Sequence, residues 1–369
     1  MKIAYFALGE TYGSNHAGFV HTYNIVKALS ELTEIRLFIR GSNAKPDIPA
    51  TFVSLPPSGI KNPIKSVKSY RKMKNETGKF DIIHERFHIN PMDLLFVGKR
   101  KYVLEVNDPA PVIYSGLKKK IYSKIIKRKF GRANAIITQT DTMKKILSKF
   151  YHGEIFVIPN GVDIGFFEKN KSNFDVRERY SIPPGKIIIT FVGAFREWHG
   201  VQDIPEISER IRKKYKNAVF LLVGGGPLFN EIRSRRKEGM IFTGPLAYAD
   251  IPSVLFQSDI LIAPFSAERF RSLEKYEFYW CPVKLFEYMA SGKPIVSYDF
   301  AEVEKITKDS ALLAGAGNLD QFTNNIEKLI ESRELRKKLG ENGKKAAREY
   351  EWKGIAGQTL EVYKKVSSS

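Results

Sequence analysis

The segment Pro282-Val283-Lys284-Leu285-Phe286-Glu287-Tyr288-Met289-Ala290-Ser291-Gly292 sets a cation and a carboxylate one helical turn apart. Phe286, Met289 and Ala290 recur at i, i+3 and i+4 and form an apolar face, while Lys284, Glu287 and Ser291 fall on the other. Gly292 closes the helix, Pro294 prevents its continuation, and Ile295-Val296 opens a buried strand. The free N–H groups at a helix start favour an anion. Capture of a nucleoside diphosphate suits this arrangement: Lys284 and the helix start around Val283 and Leu285 face the phosphates, and Glu287 accepts from ribose hydroxyls. An ordinary surface helix with an i,i+3 ion pair has the same spacing, and this segment alone leaves both readings open.

Two glycine turns follow apolar runs upstream, Gly193-Ala194-Phe195-Arg196-Glu197-Trp198-His199-Gly200 and Gly224-Gly225-Gly226-Pro227. Glycine lets a backbone approach a ligand closely, and Arg196 is able to clamp a phosphate through two parallel hydrogen bonds. Tight strand-to-helix turns with no ligand explain the same glycines. After the first strand the chain reads Gly9-Glu10-Thr11-Tyr12-Gly13-Ser14-Asn15-His16-Ala17-Gly18, which lacks the G-x-G-x-x-G spacing and disfavours a nicotinamide enzyme. No Walker A sequence, D-x-D pair or H-E-x-x-H spacing occurs, so neither a cofactor nor a metal is expected.

Elements able to position these groups run through the whole chain. Its 369 residues suggest two domains, each with its own core. Cys281 is the only cysteine, which excludes a disulfide framework and fits a reducing cytoplasm. Met1–Leu8 is too short for a signal peptide, and no apolar run approaches the roughly 20 residues that span a bilayer. The expectation is a soluble protein, or one lying on a membrane. Residues 1–160 hold 27 Lys and Arg against 12 Asp and Glu, so most of the net charge of +20 is N-terminal. It concentrates at 61–79 and at 118–132, the latter without any acid.

Short apolar runs alternate with amphipathic stretches, the pattern of parallel sheets with crossover helices. Strands are expected at 3–8, 35–39, 81–84, 102–106, 135–138 and 155–158, then at 187–192, 219–223, 240–242, 260–263 and 294–298. Helices are expected at 18–31, 64–74, 114–130 and 142–150, and late in the chain at 320–332 and 334–350. Pro183-Pro184-Gly185 reads as an interdomain linker. The architecture expected is α/β, with two doubly wound domains facing across a cleft and ligands at the carboxyl ends of the strands.

Pro159-Asn160-Gly161-Val162-Asp163, the triple glycine, Phe242-Thr243-Gly244, Ser258-Asp259-Ile260-Leu261-Ile262-Ala263-Pro264 and the 282–296 segment occur in one order. Together they resemble the retaining GT-B-fold glycosyltransferases of family four (glycosyl transferases group 1) over nearly the whole chain. The resemblance implies an N-terminal acceptor-side domain, 1–183, joined by a C-terminal helix, 351–369, and a nucleotide-sugar domain, 184–350. Tyr279 stands where the family usually has the first of two glutamates, with Glu287 the second; Ala194 and His199 replace its usual Arg and Lys. Trp198-His199-Gly200 with Pro282-Val283-Lys284 resembles a branch of the family.

By this resemblance Arg196, Lys284 and Asn107 act at the reaction. Glu287, Gly193, His199, Gly226, Gly244, Val283, Leu285 and Tyr279 bind the donor, while His16, Gly18, His21, His84, Arg86 and Asp108 face the acceptor. The implied activity is metal-independent transfer of a sugar from a nucleotide sugar to a hydroxyl, with retention. The leaving phosphate takes the acceptor proton, so no covalent nucleophile is named. The basic N-terminal half points to an anionic membrane surface at the cytoplasmic face, and so to a lipid or lipid-linked glycan acceptor. Leu117, Ile121, Tyr122, Ile125, Ile126 and Phe130 form a stripe that fits either such a surface or a crossover helix packed on its own sheet. A nucleotide-sugar 2-epimerase on the same fold is the alternative. A nucleic-acid-binding protein is suggested only by charge, since no helix-turn-helix, zinc-finger or RNP-like segment accompanies it.

Overall fold

The computed structural model describes residues 1–13, 17–41, 50–55, 73–89, 94–108, 116–266 and 277–368. The chain divides into two compact units, residues 1–160 with 352–369, and residues 161–351. His16, nearly all of the expected helix 64–74 and the centre of the aromatic stretch Phe265–Trp280, whose sequence fits either a wall of the donor-sugar pocket or a packed loop, lie outside the described residues.

In the first unit the elements are β1 (Lys2–Thr11), α1 (Ala17–Ser30), β2 (Glu34–Arg40), β3 (Thr51–Leu55), β4 (Ile82–Arg86), β5 (Lys101–Glu105), α2 (Gly116–Arg132), β6 (Ala135–Thr138), α3 (Asp141–Leu147) and β7 (Ile155–Val157). They build a parallel sheet in the order β3-β2-β1-β4-β5-β6-β7. Helices on both faces explain why β1 and β6 read as unbroken apolar runs rather than alternating ones. Thr140 caps α3 by accepting from Met143 N–H at 3.1 Å. The C-terminal helix Trp352–Ser368 completes this unit, placing Trp352, Ile355, Ala356, Val362 and Tyr363 in its core with Ile25 and Leu29 of α1.

The second unit contains α4 (Ile164–Lys169), α5 (Val176–Arg179), β8 (Ile187–Val192), α6 (Ile204–Lys214), β9 (Ala218–Val223), β10 (Met240–Gly244), α7 (Ile251–Gln257), β11 (Ile260–Ala263), α8 (Val283–Ser291), β12 (Ile295–Tyr298), β13 (Ala311–Ala314), α9 (Leu319–Glu331) and α10 (Arg333–Ala347). Its parallel sheet runs β10-β9-β8-β11-β12-β13. Strand order reverses between β1 and β4 in one unit and between β8 and β11 in the other. Such reversals are where loops diverge and leave a crevice.

The division falls at 160/161 rather than at the expected 183/184. Phe167, Val176 and Ile182 are buried in the second unit's core, Asn173 N–H donates to Ser253 Oγ, and Val176 N–H donates to Gln257 Oε1, each at 2.8 Å. Polar sequence in 168–185 therefore covers an apolar underside instead of acting as a linker. Two strands were not expected. In β3, burial has period two at Val53 and Leu55, but the adjacent apolar Phe52 and Val53 blur that alternation in the sequence; in β13, Ala311-Leu312-Leu313-Ala314 lacks any β-branched residue and reads as helix.

Candidate functional site

At the β8–β11 reversal, the chain leaves β8 through Gly193 at φ +152° and returns through Gly200 at φ +64°. A Cβ at Gly200 would overlap the Pro264 carbonyl at the end of β11, and one at Gly224 would overlap the Gly193 carbonyl. Gly193 N–H donates to Val223 O at 3.0 Å and Phe195 N–H to Gly225 O at 2.9 Å. The triple glycine thus lies backbone to backbone against the first loop. The freedom of Gly224 and Gly226 serves that close packing.

Beside this double loop, α8 is buried from Lys284 to Ser291 on both faces, which removes the surface-helix reading. Gly292 at φ +68° ends it, as its sequence implies. Lys284 is 9% exposed, and its Nζ has no hydrogen-bond partner among the described residues. It lies 4.3 Å from the ring centre of Phe191 and 5.5 Å from that of Phe265, and it fills the space a Cβ on Gly193 would need. Burial pulls its pKa down to about 7, and the nearby Glu287 only partly offsets this. Burial pushes Glu287 up to about 7, opposed by the Tyr248 hydroxyl that donates to Oε1 at 3.0 Å. Tyr248 is itself held by stacking on Phe166, with 5.2 Å between ring centres.

His199 Nδ1 lies 2.6 Å from the Ala194 carbonyl, and burial holds the ring's pKa well below the usual range. The Arg196 guanidinium lies 5.1 Å above Trp198 and has no carboxylate partner among the described residues. Two cations without matching carboxylates, next to glycine-lined backbone, form a seat for an anion with more than one negative oxygen. Leu285 N–H is already given to Pro282 O at 3.1 Å, so its contribution is to the core rather than to that seat. Val283 begins α8, and Gly244 ends β10 at φ +71° with open space at its Cβ position. Tyr279 is buried against Trp280 at 5.3 Å. Phe278 stacks on Phe300 at 4.7 Å, which assigns the described end of the aromatic stretch to packing.

In the first unit, side chains converge on Glu105 at the end of β5. Tyr5 Oη donates to Oε2 at 2.7 Å, Arg86 Nη1 donates to Oε1 at 2.6 Å, and Asn107 Nδ2 donates to Oε1. His21 Nε2 lies 2.9 Å from Oε1 and its Nδ1 lies 2.7 Å from Asn160 Oδ1. Burial alone would raise the Glu105 pKa; the His21 ring and the Arg86 guanidinium outweigh it and hold the carboxyl well below the usual range. Burial lowers His84 and keeps it neutral. Its Nε2–H then donates to Glu105 at 3.2 Å, leaving Nδ1 to accept the Tyr363 hydroxyl at 2.5 Å. Arg86 also donates to Glu10 at 3.2 Å, and the Glu10 carboxylate occupies the space a Cβ on Gly18 would need.

The structure thus gathers His21, His84, Arg86 and Asn107 around one carboxylate and leaves Asp108 exposed one residue beyond. His84 is enclosed, so it acts on its surroundings through Glu105. The sequence offers Glu105 as the start of the strand end Glu105-Val106-Asn107-Asp108-Pro109 facing the acceptor, but nothing in it gives the carboxylate a role of its own. Tyr248 and Tyr363 carried no local signal: they reach Glu287 and His84 from 39 and 279 residues away.

The family model described as Glycosyltransferase Family 4 matches residues 18–166, and that described as Glycosyl transferases group 1 matches residues 172–346. An uncharacterized glycosyltransferase of Methanocaldococcus jannaschii is 26% identical over 250 residues, 64% of this chain and 59% of that protein. A phosphatidyl-myo-inositol mannosyltransferase of Mycobacterium leprae is 22% identical over 264 residues, 70% of this chain and 64% of that protein. The chain spans between about half and three-fifths of the first curated relatives it matches. Among solved structures, Anabaena HepE in complex with UDP-glucose has a TM-score of 0.73 at 16% identity, covering 99% of this chain and 100% of that one. Sucrose-phosphate synthase from Thermosynechococcus elongatus has a TM-score of 0.74 at 16% identity, covering 100% of this chain and 99% of that one. These two likenesses are of fold.

Proposed function

The chain belongs with the GT-B-fold glycosyltransferases, and we propose that it transfers a sugar from a nucleoside-diphosphate sugar to a hydroxyl acceptor with retention of configuration. The observation that carries this reading is the buried, unpartnered Lys284 amine beside the Gly193 loop, inside the stretch matched by the group 1 family. A departing diphosphate supplies the negative charge this amine lacks. Stabilising that charge in a site shielded from water is the main way such a reaction is accelerated. Lys284 and Arg196 take the phosphate oxygens and Glu287, oriented by Tyr248, takes ribose hydroxyls. The departing phosphate receives the acceptor proton. On the acceptor side the reading uses His21, Arg86 and Asn107, aligned by Glu105. No metal is required for this division of labour, so turnover is expected to survive EDTA.

The acceptor proposed is a lipid or lipid-linked glycan at an anionic, cytoplasmic membrane face. Lys120, Lys124, Lys127 and Arg128 of α2 are exposed, and the likeness to a phosphatidyl-myo-inositol mannosyltransferase supports the same direction. No described helix is long and apolar enough to cross a membrane. Incubation with UDP-, GDP- and ADP-sugars, with and without membrane lipids, tests the activity. Acceptor-dependent nucleotide release with an unchanged anomeric configuration is expected; sugar isomerisation without acceptor would replace this reading by the epimerase. Co-sedimentation should favour anionic over neutral liposomes at low salt, and equal binding to both would remove the membrane surface from the proposal.

A further inference from the structure

The turn Glu197–His199 presents a histidine whose two ring nitrogens are not equivalent. Nδ1 lies 2.6 Å from the Ala194 carbonyl oxygen, which has lone pairs but no proton, so Nδ1 carries the hydrogen and donates it. The ring sits among Phe191, Trp198 and Phe265, with centres 6.4, 6.0 and 6.3 Å away. The charged groups that face it are Lys284 from α8 and Arg196 from its own loop. Burial first, then Lys284, disfavours a second proton on the ring. Nε2 is therefore left as a lone pair, with no partner among the described residues.

A lone pair repels a phosphate oxygen and attracts a hydroxyl. We propose that His199 accepts a hydrogen bond from a hydroxyl of the donor's sugar, leaving the diphosphate charge to Lys284 and Arg196. The assignment rests on the nucleotide-sugar reading of the second unit. It gives the histidine that stands in place of the family's usual lysine a different task, that of reading the sugar rather than neutralising the phosphates. Location agrees with this: the His199 ring and the Lys284 amine border the same Gly193 backbone, whereas Glu287, proposed for the ribose, sits a turn further along α8.

Calorimetry on the full chain with UDP, UDP-glucose, GDP and GDP-mannose separates the sources of the hydroxyl. His199→Phe retains an aromatic ring and removes the acceptor; His199→Gln restores an acceptor. In His199→Phe the diphosphate is expected to bind within about twofold of the unsubstituted chain, while its matching nucleotide sugar weakens by about tenfold and His199→Gln recovers part of the loss. Nitrogen NMR should show Nδ1 protonated and Nε2 bare between about pH 6 and 8. Equal weakening of diphosphate and nucleotide sugar, or a ring protonated on both nitrogens at neutral pH, overturns the assignment. Failure of the unsubstituted chain to bind any of the four ligands overturns the donor reading itself, and this assignment with it.

Discussion

At Lys284 and Glu287, burial acts on two charges in opposite directions. Glu287 is raised from 4.5 to about 7, so across that interval the folded chain keeps a proton the unfolded chain has lost, and stability falls as pH rises. Lys284 is lowered from 10.5 to about 7; across that interval the unfolded chain binds the extra proton, and stability rises with pH. The pair is therefore least favourable near neutrality, by an amount on the order of several kcal/mol. Glu287→Gln is expected to raise the thermal midpoint at mildly alkaline pH and to abolish the stabilisation that a nucleotide donor confers, both read by thermal shift. For the unsubstituted chain, diphosphate affinity should weaken as pH rises through about 7, because Lys284 gives up its proton there. Glu105 behaves in the opposite sense to Glu287. Its depressed pKa stabilises the fold above the ordinary value of 4.5, and that contribution is lost as pH falls toward its folded value. Glu105→Gln leaves His21 and Arg86 facing a neutral amide and should cost about 3–5 kcal/mol in urea unfolding, with a flatter acid limb.

Among the elements, the glycine turns and the helices answer to different constraints. Gly200→Ala would force a side chain into the Pro264 carbonyl at φ +64°, and a loss of about 2–4 kcal/mol is expected from urea unfolding, accompanied by weaker donor binding. Gly354 offers the contrast. It lies within the C-terminal helix with open space around its Cβ position, so Gly354→Ala should stabilise by about 0.5–1 kcal/mol without altering turnover. On α2, helical periodicity explains a charge that composition misplaces. Lys129 shares the buried stripe of Ile126 and Phe130, where it pairs with Glu85 and donates to the His88 carbonyl. Tyr102 adds a hydrogen bond to Glu85 at 2.6 Å. The stripe therefore packs inward where it is described, and the exposed lysines around it form the solvated face.

For the whole molecule, the C-terminal helix is an integral part of the first unit's core. Removing residues 352–369 would withdraw Trp352, Ile355, Val362 and Tyr363 from that core and leave His84 without the Tyr363 hydroxyl. Calorimetry of the truncated chain is expected to show loss of the first unit's transition, with that of residues 161–351 retained; two intact transitions would contradict the division of the chain described above. Within the second unit, Val162 pairs with Glu351 and its N–H donates to Tyr350 O at 2.9 Å, so both crossing points are tied together in the same body.

What the sequence by itself determined is whatever rests on short-range order. Apolar runs such as Ile187–Val192 and Ala135–Thr138 are legible because a strand covered on both faces needs them, and Gly292 marks the end of α8 because a left-handed residue is needed there. The order of elements and the doubly wound sheets follow from such local signals, whereas the return of the C-terminal helix to the first unit is implied only by the family resemblance. Tertiary structure alone decided the environment of each charge. Whether Lys284 and Glu287 form an exposed ion pair or are two separately desolvated groups depends on Phe191, Phe265 and Tyr248, none of them near in sequence. The gathering of His21, His84 and Arg86 on Glu105 likewise needed β1, β4, β5 and a helix more than 200 residues downstream. Periodicity encodes which face of an element is covered; it carries no record of what covers it, and desolvation by those distant neighbours is what turns the residues of α8 and β5 into sites.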